Sequence, residues 1–134
     1  MKQLDILEYE LNLNASGDNP DSGNITLPGN ISHVLGFSFS GDTPKQLYYR
    51  GKVSLDIGGT NIIRSHLRAE HFMHPIQTEA AYKFFPVLLD EETLETIPME
   101  LKNYSLRWSV KDQASNAVNF EAYKVVLNLF CLQN

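Results

Sequence analysis

The chain has 134 residues, 43% of them hydrophobic, and 11 basic against 16 acidic side chains leave a formal charge of −5. That length suits a single domain with a core large enough to form without metals or disulfides, and its negative charge makes free nucleic acid a poor partner. One cysteine, Cys131, excludes an internal disulfide scaffold, and the longest apolar run, 125–132, is broken by Asn128 and far short of the ~20 residues of a membrane-crossing helix. The opening Met1-Lys2-Gln3-Leu4-Asp5 lacks the apolar core of an export signal, so the expectation is a soluble product made without export.

Leu7, Tyr9, Leu11 and Leu13 alternate with Glu8, Glu10 and Asn12, the period-two pattern of a strand with one apolar face. Leu4 and Ile6 lie out of phase with that set, which predicts a bulge or turn at Ile6-Leu7. Residues 14–23, rich in Gly, Asn, Asp, Ser and Pro, read as a surface loop. A second strand carries Leu35, Phe37 and Phe39 on one face and Gly36, Ser38 and Ser40 on the other, closed by the turn Gly41-Asp42-Thr43-Pro44.

In the third strand Val53, Leu55 and Ile57 alternate with Lys52, Ser54 and Asp56, and Gly58-Gly59 then supplies the residues a tight hairpin requires. A two-residue loop there sets Leu55 opposite Ile62 and Asp56 opposite Asn61, but it leaves Ile63 on the outer face. That conflict predicts either a bulge or a face covered by another subunit. Residues 78–85, Thr-Glu-Ala-Ala-Tyr-Lys-Phe-Phe before Pro86, read as one short helix. Asp90-Glu91-Glu92 and Glu95 form an acidic loop or frayed turn. Tyr104, Leu106, Trp108 and Val110 alternate cleanly with Ser105, Arg107 and Ser109, so Trp108 belongs to the core. The run 123–132 is apolar on both parities, as in a central strand, or one buried by the core and a neighbour together. Six to eight strands and at most one helix predict an all-β domain over residues 1–134, a single jelly roll or β-sandwich of about eight strands.

Candidate chemistry is sparse. His66, His71 and His74 with Glu70 come closest to a metal cluster, but His71 and His74 point to opposite faces of an extended segment, and no cysteine flanks them. Cys131 lies within an apolar run where a thiol is inert, and there is no nucleophile elbow or phosphate-cradling glycine loop. The sequence therefore predicts no catalytic, cofactor-binding or metal residues, no cofactor and no enzymatic activity. The sequons at Asn14, Asn24, Asn30 and Asn103 carry little weight without an export signal. Charge is uneven: residues 45–68 hold Lys45, Arg50, Lys52, Arg64 and Arg68 against Asp56, whereas 90–100 hold Asp90, Glu91, Glu92, Glu95 and Glu100 with no base. Identical subunits can match such stretches head to tail.

The order Leu27-Pro28-Gly29, then Phe39-Ser40-Gly41-Asp42-Thr43-Pro44-Lys45-Gln46-Leu47, then Val53-Ser54-Leu55-Asp56-Ile57-Gly58-Gly59 resembles the opening barrel of jelly-roll capsid proteins of tailless, membrane-containing icosahedral phages, the corticovirus-like group. The likeness covers residues 27–63. It implies an upright jelly roll in a viral shell, located in the virion after synthesis in the host cytoplasm. The major capsid proteins of that group hold two barrels per chain, and 134 residues hold one. A single barrel suits a penton, a vertex protein closing a ring through head-to-tail contacts. The implied partners are further copies of itself, other capsid proteins and a spike protein, with no direct nucleic-acid contact and no membrane insertion. Ile63 and the faces of 123–132 are the expected contact positions. A second expectation is a β-sandwich carbohydrate- or receptor-binding module using Trp108 or tyrosines as stacking platforms.

Overall fold

The computed structural model describes residues 2–41, 51–63, 85–112 and 120–134. They form nine strands: β1 (Leu4–Leu13), β2 (Ile25–Thr26), β3 (Ile31–Gly41), β4 (Lys52–Ile57), β5 (Thr60–Ile63), β6 (Phe85–Pro86), β7 (Met99–Glu100), β8 (Ser105–Lys111) and β9 (Tyr123–Gln133). One sheet has the order β1-β9-β3-β6, with β7 also on β3, and the other the order β2-β8-β4-β5. Every pairing is antiparallel. The partners nest: β1 with β9, β2 with β8, β3 with β6 and β7, β4 with β5. This is a long hairpin ribbon, its tip at Gly58-Gly59, rolled up until β9 meets β3 and β8 meets β4. That connectivity is a jelly roll, and the all-β expectation is met.

Alternation decides which side chains line the core. Leu7, Tyr9, Leu11 and Leu13 of β1 face Leu129, Leu127, Val125 and Tyr123 of β9, while Leu106, Trp108 and Val110 of β8 stand beside Ile57, Leu55 and Val53 of β4. Trp108 is 1% exposed and packs on Phe39 across the sandwich, with ring centroids 5.9 Å apart, so the expected core position is confirmed. Its Nε1–H has no acceptor among the described residues, a desolvation penalty of roughly 1–3 kcal/mol set against the burial of a large ring. At the sandwich end, the buried Asp112 carboxylate accepts bonds from the Tyr123 hydroxyl and from the Gly17 N–H at 3.1 Å. It ties the 14–23 loop to the last two long strands.

Several local expectations are corrected. β1 pairs with β9 in unbroken register from Leu4 to Leu13, so there is no bulge at Ile6-Leu7; Leu4 and Ile6 instead point outward and are exposed. The bulges lie in β3, where register shifts between Ile31 and His33 and between Val34 and Gly36 put Val34 in the core and leave Leu35 half-buried. The Gly58-Gly59 loop forms with φ of 59° and 82°, and Asp56 meets Asn61 as expected, but a shift at Ile62 pairs Leu55 with Ile63. Ile63 is 1% exposed. It is a core residue and no contact position. The run 123–132 is the central strand β9, paired on both sides, with one side chain row in the core and Val126, Asn128 and Leu132 of the other row half-buried. The predicted helix at 78–85 lies outside the described residues except for Phe85, which is extended and pairs with Phe37.

Candidate interaction surface

His66, Glu70, His71 and His74 lie outside the described residues. Among the described residues no group of three His, Cys, Asp or Glu side chains is placed to hold a metal ion, and His33 bonds through Nδ1 to Ser32 Oγ at 2.8 Å. Cys131 is fully buried, and burial, aided by the charge of Asp5, pushes its thiol up to about 12. A thiol that holds its proton so firmly is a poor nucleophile. Trp108 is sealed in the core and offers no stacking platform. Tyr104 is half-buried at an open cleft of about 420 Å³ lined by Asn24, Ile25, Thr26, Asn103 and Ser105.

On the outer face of the β2-β8-β4-β5 sheet, Arg107 donates to Asp21 from two of its three guanidinium nitrogens, Nε to Oδ1 at 3.2 Å and Nη2 to Oδ2 at 3.0 Å. The guanidinium, with the Gly23 N–H, keeps the Asp21 carboxyl below its ordinary value. Farther along the same face, Lys52 stands directly opposite Lys111. Both are exposed, and neither has an ion pair with any described residue. Lys45, Arg50, Arg64 and Arg68 of the basic stretch lie outside the described residues.

The acidic stretch occupies a distinct element. β6 pairs with β3 at Gly36 and Phe37, and β7 pairs with β3 at His33 and Val34, so one edge-strand position is filled by two dipeptides with residues 87–98 looped out between them. The base is held by Val87 N–H to Leu35 O at 3.1 Å and Leu101 N–H to Ser32 O at 3.0 Å. The excursion closes on itself as a small hairpin: Leu89 bridges Thr96, and the N–H groups of Ile97, Asp90 and Leu94 donate to the carbonyls of Leu88, Glu95 and Asp90 at 3.0, 2.9 and 2.9 Å. At the tip the Asp90 carboxylate accepts the Glu92 and Thr93 N–H groups at 2.9 and 3.0 Å, and these bonds hold its pKa below the ordinary 3.8.

Such a hairpin needs no apolar surface of its own, yet Leu88, Leu89, Leu94 and Ile97 are all exposed. Leu94 is 69% exposed at φ 59°, the one non-glycine residue with positive φ among those described. Left-handed backbone costs a side-chain-bearing residue roughly 1–2 kcal/mol, and here the position that closes the turn carries a leucine exposed to solvent instead of a glycine. Exposed aliphatic side chains on the same short hairpin as the exposed Glu91, Glu92 and Glu95 have the character of a contact surface. The sequence announced the acidic charge but not the exposed leucines, whose only signal was Leu88-Leu89 and Leu94 bracketing it between Pro86 and Pro98. Comparison with protein-family models, characterised proteins and solved structures finds no match to this chain.

Proposed function

We propose that this chain is a structural virion protein, a single-jelly-roll capsid component serving as the penton of an icosahedral shell, with no catalytic role. The observation that carries the reading is the 87–98 hairpin, an aliphatic and acidic projection on the edge of a rigid two-sheet roll. Leu4 and Ile6 add a second exposed apolar site on β1. A roll that exposes such side chains is suited to work against neighbours, here further copies of itself, other capsid proteins and a spike protein, in the virion. The resemblance over residues 27–63 supplies the viral context. Mass spectrometry of purified particles, with native mass spectrometry of the isolated chain, tests it. Particle-bound protein and a cyclic oligomer are expected; a chain absent from particles and monomeric at every concentration overturns the reading.

A second reading, a carbohydrate- or receptor-binding module, rests on the open cleft beside Tyr104, where an aromatic ring adjoins the Asn24 and Asn103 amides. Sugar titrations followed by amide shifts of Asn24, Thr26 and Ser105 test it, and unmoved signals remove it.

A further inference from the structure

We propose that the 87–98 hairpin of one copy docks on the Lys52/Lys111 face of a second copy, with Leu94 laid along the two lysine stems and Glu91, Glu92 and Glu95 around their ammonium groups. This inference rests on the assembly reading above and names the two surfaces that meet.

The lysine pair supports it first. Like charges directly opposite across an antiparallel pair are destabilising, and lysines on edge strands are a common guard against aggregation. Lys111 lies between Lys52 and the 18–20 segment, whose Pro20 and Asp18 carbonyls accept the Val110 and Asp112 N–H groups, so edge protection does not account for it.

Within one chain no ion pair joins Glu91, Glu92 or Glu95 to Lys52 or Lys111 among the described residues, so neither surface is satisfied by the other in its own copy. Two different patches meeting head to tail make a heterologous contact, the kind that closes rings. The flexible stems of lysine cover apolar surface while their heads stay charged, which suits a tip made of one exposed leucine and three carboxylates.

Charge reversal in the full chain tests the contact. Lys52→Glu with Lys111→Glu, and separately Glu91→Lys with Glu92→Lys and Glu95→Lys, are each expected to weaken self-association at least about tenfold in sedimentation, and an equimolar mixture of the two is expected to restore it. Circular dichroism and thermal unfolding show that each variant is folded. Leu94→Gly, which relieves the backbone, is expected to fold at least as well and to associate more weakly. If the wild type associates and both reversals associate equally well, the contact is wrong and the assembly reading stands. A wild type that stays monomeric and absent from particles overturns both.

Discussion

Two turns in this molecule use the same left-handed backbone and fill it differently. At Gly58-Gly59, between β4 and β5, φ values of 59° and 82° fall on glycines, and the turn leads into the buried Ile63. At the 87–98 tip a φ of 59° falls on Leu94, whose side chain is in water. The first turn matches local sequence to fold, as expected of an element whose task is to close the roll. The second puts a leucine at the left-handed position that closes the 90–95 turn, where a glycine would be unstrained, and leaves that side chain in water. That mismatch is what separates a folding turn from a presenting one.

The contrast breaks most sharply if an aspartate is placed beside each turn. Ile63→Asp puts a charge among Leu55, Trp108 and their neighbours, and losing the buried side chain as well should cost about 4 kcal/mol or more, a large share of the ~5–15 kcal/mol that holds such a domain folded, so its unfolding midpoint should fall steeply. Leu94→Asp, on an exposed tip, should leave the unfolding midpoint in denaturant almost unchanged. Equal loss from both would mean that the hairpin belongs to the core. Next in size is Gly58→Ala: a Cβ there would sit 3.0 Å from the Asn103 carbonyl oxygen at φ 59°, for an expected loss of about 1–3 kcal/mol. Gly59→Ala has the same strain and open space around it, so its loss should be the smaller of the two.

How much of this was legible in the sequence depends on period. β1, β4 and β8 alternate strictly, and their core faces could be read directly, Trp108 included. β2, β6 and β7 are two residues each and carry no period at all; tertiary pairing alone makes them strands. Leu35 was assigned to the wrong face because a bulge shifts the facing of side chains by one, whereas at Ile63 the conflict in the two-residue register already offered a bulge, and the register shift between Leu55 and Asp56 bears that alternative out against the covered face. Leu4 and Ile6 suggested a bulge because their apolar character was assumed to point inward. The candidate surface was half visible: its charge can be counted in the sequence, but the exposure of Leu94 follows from a backbone angle that the sequence does not display.

Leu94→Gly sharpens the comparison by making the second turn resemble the first. Removing roughly 1–2 kcal/mol of left-handed strain is opposed by about 0.5–1 kcal/mol of added freedom in the unfolded chain, so a net gain of about 0.5–1 kcal/mol is expected in chemical denaturation. A loss of stability instead would mean that the leucine side chain packs within its own chain, and the distinction between the turns would collapse.

The smallest expected effect is in pH. The Gly58 turn is held by its N–H bond to the Ser105 carbonyl at 2.7 Å, which has no titrating partner. The 87–98 tip is held in part by the Asp90 carboxylate, whose ionised form accepts the Thr93 and Glu92 N–H groups and whose pKa is lowered for that reason. A lowered acid pKa means that the folded hairpin favours the charged form. Its contribution is present above the ordinary value of 3.8 and is lost as pH falls through the folded value. Amide signals of Glu92 and Thr93 should therefore move on acidification while those of Gly58 and Gly59 stay still. Asp90→Asn keeps a carbonyl acceptor without the ionisation, so it should preserve the tip at neutral pH and abolish the acid transition. Persistence of that transition in Asp90→Asn would assign it to Glu91, Glu92 or Glu95, and the tip would then be shaped by its carboxylates collectively rather than by one bonded side chain.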